Sequence, residues 1–406
     1  MSRKKLILFF LAFLASCTAA ADTSSFLMEL MFITKKCDKE CIFRPTRLSS
    51  ESMGSFPTNC STVCSQLVID EKTDLSEKQL TSVFENMKIL VGGLSVMFTN
   101  HTSGKYLAGL EQIDCGIGQK MEWSVNTKMT ELGLTSLTNI TCPNIQISDN
   151  SKMTKLNLPN FKNYTSSGLL SSSQVSISNL APSFCITGDE LKALLLNKAP
   201  DNMNLVAKFC EPTTSDNSKS CTKLTEECVD FYGDLVVGPS YSTASLKSIE
   251  SIFGGLTING TNFSNFDAFE NLKYIGQLDK KKAAISVVTI YVSLILWISR
   301  FQKIFSNSLE AIVFKNNSKV LITDPMSCYR LRSTVIQASP IIPDFDGESC
   351  EDMKVVNSPS TGTVSATTVS SHPGVTQKSE PHKNFASGLV EWKLFACYFF
   401  LCYLLK

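Results

Sequence analysis

The sequence predicts a β-rich solenoid, built as two tandem copies of one repeating architecture and closed by short capping helices. Three observations predict it: a short apolar pattern recurring every 23–27 residues, a larger duplication at an offset of 162–168 residues, and cysteines placed to staple neighbouring coils. The composition permits this. The chain has 406 residues, 43% of them hydrophobic, which can fill real cores and excludes global disorder. Lys and Arg number 38 against 37 Asp and Glu, so a formal charge of +1 offers no electrostatic footprint for nucleic acid. Three histidines, His101, His372 and His382, leave little material for a histidine-based catalytic or zinc centre.

The short repeat pairs an apolar residue with another three places on. It appears as Met87-x-x-Leu90, Leu110-x-x-Ile113, Leu137-x-x-Ile140 and Phe161-x-x-Tyr164, at intervals of 23, 27 and 24 residues. The last two units also match upstream, Met129-Thr130-x-Leu132-x-Leu134 against Met153-Thr154-x-Leu156-x-Leu158. Both carry an N-x-S/T sequon at the same place, Asn139 and Asn163. Cys115 and Cys142 each lie five residues after the first apolar residue of their units. Equivalent positions in stacked coils are about 4.8 Å apart, within disulfide range, so a Cys115–Cys142 bridge follows.

The larger repeat sets Val91-Gly92-Gly93-Leu94-Ser95-Val96 against Phe253-Gly254-Gly255-Leu256-Thr257-Ile258. Upstream, Cys60-x-x-Val63-x-x-x-Leu67-x-Ile69 meets Cys228-x-x-Phe231-x-x-x-Leu235-x-Val237. Cys185…Cys210 and Cys328…Cys350 close the two copies at similar spacing, and the polar stretch 211–220 separates them. The copies are therefore expected at 37–210 and 221–350. Ser76-x-x-Gln79 and Thr187-x-x-Glu190 are capping-box patterns that start two short helices.

Ala283 to Ile298 is an uncharged apolar run that hydropathy alone would flag as a membrane helix. It is short for a span, rich in β-branched residues, and ends in solenoid register, Ile298-x-x-Phe301-x-x-Ile304. It is read as strand.

The chain ends point to the secretory pathway. Residues 1–22 have a basic start, an apolar centre and small residues for cleavage, as a signal peptide does. Leu14-Ala15-Ser16-Cys17 also fits a lipoprotein signal, a rival that the other end of the chain disfavours. Residues 351–388 read as a Ser/Thr-rich stalk, and 389–406 as a GPI signal or one short membrane span, with a soluble protein as the remaining alternative. All three readings leave almost nothing for a cytoplasmic domain. The twelve cysteines between signal and stalk are Cys37, Cys41, Cys60, Cys64, Cys115, Cys142, Cys185, Cys210, Cys221, Cys228, Cys328 and Cys350. An even count in a secreted chain implies disulfides; the C-x3-C spacing of Cys37/Cys41 and Cys60/Cys64 also admits zinc, with two bridges between the pairs as the preferred reading. Seven sequons occur, at Asn59, Asn100, Asn139, Asn163, Asn259, Asn262 and Asn316.

No nucleophile elbow, zincin or P-loop motif is present. Gly116-x-Gly118 lacks a third glycine and reads as a turn. Asp189-Glu190 could be paired acids but fit the cap better, and His101, inside a sequon, reads as an exposed residue. A non-catalytic protein without cofactor or metal is expected. A polysaccharide-active enzyme, which needs only two carboxylates, is a minor alternative.

These residues resemble the receptor L domain, the ligand-binding module of insulin and EGF receptors, and most closely a nematode family with paired L domains and no kinase. The carrying motifs are Cys60…Leu67-Val68-Ile69, Gly92-Gly93-Leu94-x-Val96, Leu110-x-x-Ile113 and their second copies, including Cys228…Gly233-x-Leu235-x-Val237. The likeness implies right-handed β-helices with leucine-rich-repeat-like coils. It also implies the pairs Cys41–Cys60, Cys37–Cys64, Cys185–Cys210, Cys221–Cys228 and Cys328–Cys350. The chain departs from the receptors in having no cysteine-rich domain between its copies. The function implied is a cell-surface or secreted binder of an insulin-like or EGF-like peptide, a decoy or co-receptor. An adhesion or matrix protein without a hormone ligand is the alternative.

Overall fold

In the first copy, Thr62–Cys64, Ile89–Val91, Gln112–Asp114, Asn139–Thr141 and Asn163–Thr165 stack as a five-stranded parallel sheet. A six-stranded parallel sheet backs it: Leu67–Ile69, Leu94–Met97, Lys120–Ser124, Asn144–Ser148, Gln174–Ser178 and Asn202–Leu205. The second copy repeats the plan. Its first sheet runs through Ser220–Cys221, Asp230–Tyr232, Ser251–Phe253, Tyr274–Gln277, Lys303–Ser306 and Val335–Ile336; its second through Leu235–Val237, Leu256–Asn259, Ile285–Val288, Ile312–Lys315 and Asp344–Phe345. The computed structural model describes residues 23–352 apart from 117–118, 167–172, 197–199, 213–218, 262–266, 291–302, 318–327, 330–331, 334, 337–343 and 346–349. These residues lie in one compact unit.

The period of the sequence is the period of the stack. Val63, Leu90, Ile113, Ile140 and Tyr164 are direct register partners and form one inward column, all buried. The second sheet adds Leu67–Leu94–Met121–Ile145–Val175–Met203 and Ile69–Val96–Trp123–Ile147–Ile177–Leu205. Each fully buried aliphatic side chain contributes about 1.5–3 kcal/mol, so the columns are the main source of stability. The second copy has Phe231–Ile252–Ile275–Ile304 and Leu235–Leu256–Ile285–Ile312 in the same roles.

Two corners close each coil. Between the sheets, Gly92 sits at φ 133° and Gly254 at φ 156°; a Cβ on either would come within 2.0 and 2.1 Å of the carbonyl oxygens of Ser65 and Gly233. The duplicated Gly-Gly exists because the chain turns against the backbone of the coil before it. At the far end of the second sheet, Phe98, Val125, Asp149 and Asn179, and in the second copy Gly260, Thr289 and Asn316, all take left-handed φ of 53–58°. The residue after the corner points inward. Asn126 donates Nδ2 to Val96 O at 2.9 Å and accepts from Thr99 N at 3.0 Å; Asn150 donates to Trp123 O at 2.8 Å and accepts from Asn126 N at 2.9 Å. Asn317 repeats the motif on Val287 O and Ile290 N, both at 2.8 Å. This amide ladder satisfies backbone groups that the corner would otherwise leave buried and unpaired.

Both capping boxes form. Helix α2 (Glu77–Val83) is capped by Ser76 and Gln79, and α3 (Gly188–Leu195) by Thr187 and Glu190. The repeat pattern does not anticipate α1 (Thr23–Thr34), which has no polar face to give a helical period. Within the apolar run 283–298, Ile285–Val288 is a strand, and Ile304 beyond it stacks on Ile275; Ile298 and Phe301 lie outside the described residues. Among the described residues no helix is long and apolar enough to cross a membrane. His101 corrects its expectation: it is half-buried, edge-on to Tyr106 at 5.3 Å, with Nε2 3.4 Å from Leu75 O.

Gly92→Ala is expected to lose about 2–4 kcal/mol of unfolding free energy, through strain and a backbone clash. Gly54→Ala, at a site with no atom within 4 Å of the added Cβ, should change it by less than about 0.5 kcal/mol in the same urea titration. Asn126→Ala should cost roughly 3 kcal/mol, because it strands Thr99 N and Val96 O in the core.

Candidate binding surface

Each copy offers two outward sheet faces, and the first-sheet faces are occupied. In the first copy that face carries Cys64–Val91–Asp114–Thr141–Thr165 and Thr62–Ile89–Gln112–Asn139–Asn163 in register rows. Helix α1 lies over its start. Met31 and Phe32 cluster with Cys64 and Val91, while Lys35 pairs with Asp114 at 2.7 Å and Arg44 with Glu29. Gly116, expected to be a turn residue, faces the Met31 side chain so closely that a Cβ would lie 2.4 Å from its sulfur. Farther along, the two half-buried sequon asparagines stack, Asn163 Nδ2 donating to Asn139 Oδ1 at 2.9 Å. Asn59, Asn100, Asn259 and Asn316 are exposed, and Asn262 lies outside the described residues.

In the second copy the first-sheet face is an interface. Its outward row Tyr232–Phe253–Gly276–Phe305 packs against the end of the first copy. Phe209 meets Phe253 at 5.2 Å and Tyr232 at 6.4 Å between ring centroids. Leu191 of α3 fits over Gly276, where a Cβ would approach its Cδ2 to 2.6 Å. Gly188 opens the same space for Phe253, whose Cε2 would be 2.3 Å from a Cβ there. Lys192 bonds Asp230 at 2.9 Å and lies 5.7 Å from the Phe253 ring centre. Burial works against the ammonium, but the carboxylates of Asp230 and Asp189 together more than offset it and hold the Lys192 pKa above its ordinary value. Asn307 Nδ2 reaches back to Leu205 O at 2.6 Å. Sequence reasoning missed this interface; its signal is the aromatic row at strand spacing interrupted by Gly276.

The second-sheet face of the first copy is polar and almost uncharged. One register row is Val68–Ser95–Glu122–Gln146–Ser176–Asn204, flanked by Met97–Ser124–Ser148–Ser178 and by Lys120–Asn144–Gln174–Asn202. Its one acid and one base, Glu122 and Lys120, neutralise each other at 2.7 Å. In the second copy the corresponding row is Val236–Thr257–Ser286–Val313. Inside the first copy, a cavity of about 20 Å³ lined by Leu132, Ile145, Val175 and Glu190 has room for about one water.

The twelve cysteines between 37 and 350 are all in disulfides: Cys37–Cys64, Cys41–Cys60, Cys115–Cys142, Cys185–Cys210, Cys221–Cys228 and Cys328–Cys350. None is left as a zinc ligand, and the described residues hold no cluster of three metal-ligating side chains. Asp189 and Glu190 do not form an acid pair. Asp189 is exposed beside Lys192, whereas Glu190 is buried, accepting from Thr187 N at 2.9 Å and Leu158 N at 3.1 Å. Desolvation raises the Glu190 carboxyl above its ordinary 4.5.

A family model described as the receptor L domain matches residues 59–166 and 227–332, one match in each solenoid. No curated protein matches the chain.

Two outcomes test this arrangement. Gly276→Val should displace Leu191 and split the calorimetric unfolding of the chain into two separate transitions. Because the folded pKa of Glu190 is raised, its contribution favours folding fully below pH 4.5 and is lost as pH rises through the folded value. Acidification from pH 7 towards 5 should therefore stabilise the wild type more than Glu190→Gln, measured by urea unfolding at both pH values.

Proposed function

The chain belongs to the receptor L domain family, and from that premise we propose that it is a non-catalytic binding protein for a secreted polypeptide of the insulin-like or EGF-like class. Its family is one of ligand-binding modules, and six disulfides together with that family support an extracellular setting. The observation that carries the reading is the asymmetry of the faces. Helix α1 and the sequon pair take the first-sheet face of one copy and the interdomain contact takes that of the other; on the polar second-sheet face of the first copy Ser95, Glu122, Ser124 and Ser148 are buried, and the part-exposed Gln146, Ser176 and Asn204 with the exposed Gln174 are what it offers a ligand.

Copies at 37–210 and 221–350 joined by 211–220 form the binding portion in this reading. Residues 1–22 and 353–406 lie outside the described residues. They serve as secretory signal, Ser/Thr-rich stalk and C-terminal anchor, GPI or a short span. Glycans on Asn139 and Asn163 would screen the face beside α1, while Asn59, Asn100 and Asn316 are exposed in loops and corners and Asn259 at the end of its strand. In this reading the protein acts as decoy or co-receptor.

Purified chain titrated with secreted insulin-like and EGF-like peptides should bind one of them saturably at nanomolar to low micromolar affinity. Gln146→Arg, at the centre of the polar face, should weaken it at least about tenfold, as a buried charge at an interface core does. Thr141→Arg on the opposite face should leave it unchanged. Absence of binding across the whole peptide set would move the assignment to an adhesion protein.

A further inference from the structure

The two copies treat one backbone position differently. Val68, in the first strand of its second sheet, uses its outward backbone groups. Its N–H donates to Thr46 O at 2.8 Å and its carbonyl accepts from Leu48 N at 3.1 Å. The segment 46–48 thus lies on the sheet edge as one more parallel element, with Arg47 opposite Val68 and ion-paired to Asp70 at 2.8 Å. Val236 occupies the same place in the second copy. Its neighbours Leu235 and Val237 face Leu256 and Ile258. No described residue bonds the outward N–H and C=O of Val236, and the residue is 58% exposed.

The cause is legible in the disulfide loops. The segment that covers Val68 lies within the loop closed by Cys41–Cys60, 19 residues apart; the corresponding loop, Cys221–Cys228, spans 7. The shorter loop has no residues to lay across the edge. An open strand edge is a template for backbone pairing.

We propose that the edge at Leu235–Val237 binds an extended segment of a partner polypeptide, added parallel to the strand as Thr46–Leu48 is added to its counterpart. The partner residue opposite Val236 is apolar or β-branched rather than basic. Where the first copy offers Asp70 to hold Arg47, the second has Gly238, and the row beside Val236 is Thr257, Ser286 and Val313. This edge is separate from the sheet faces considered above and does not depend on an insulin-like or EGF-like ligand.

The probe is a fluorescein-labelled, amidated peptide of residues 43–50 of this chain carrying Arg47→Val, titrated by anisotropy into the purified full chain. Saturable binding with one site per chain is expected. Val236→Pro removes the outward N–H at an edge position where proline is tolerated, and should weaken binding at least about tenfold, the equivalent of one lost hydrogen bond. Val236→Thr should retain it. A probe N-methylated at the residue matching Leu48 should fail on wild-type protein in the same way, which tests the geometry without altering the fold. Equal binding to the wild type and Val236→Pro, equal binding of the methylated probe, or no saturation would overturn the proposal. A wild-type dimer in sedimentation that Val236→Pro dissolves would also overturn it, assigning the edge to a second copy.

Discussion

Everything in this protein depends on stacking short parallel strands in strict register. A strand of three or four residues has little stability by itself. It persists because each inward residue sits on its counterpart in the coil below, as Ile113 sits on Leu90 and beneath Ile140. Register is thus set column by column, and a slip of one residue would turn a whole column of Leu and Ile outward. The corners exist to return the chain to that register. Gly92 and Gly254 allow one turn against neighbouring backbone. At the other, left-handed residues as unfavourable as Val125 and Thr289 are held in place by the ladder amides that follow or neighbour them.

The same constraint explains what can be read from the sequence. Columns repeat, so the apolar pairs, the Gly-Gly duplication and the Cys115–Cys142 spacing were visible as periodicity. Capping boxes were visible because their chemistry is local: Thr187 and Glu190 satisfy each other's backbone within one turn. Features arising where the repeat meets something else were not. Helix α1 is apolar without a period, and its burial on Val91 and Cys64 is decided by tertiary contact alone. The aromatic row Tyr232–Phe253–Phe305 reads as ordinary strand alternation until the first copy is set against it. The polar second-sheet rows are equally silent, because Ser, Gln and Asn on a sheet face have no spacing that separates a binding surface from a solvated one.

The duplication is also unequal in an informative way. Core columns, corners and the Gly-Gly turn recur in both copies, while the outward faces differ in every case. The first copy spends its first-sheet face on α1 and the sequon pair, and the second spends the same face on its neighbour. The copies therefore share a scaffold and divide its surfaces between them.

That division has a mechanical consequence. Leu191 seated over Gly276, with Phe209, Tyr232 and Phe253 around it and Asn307 bonded across to Leu205, ties the two solenoids together by direct side-chain packing. That contact is made before any ligand arrives. A ligand that touches both makes its second contact at an effective concentration fixed by this interface rather than by a linker. For such a ligand the pair would work as a gauge, selecting by the spacing of features on the ligand with little ordering entropy to expend on closing around it.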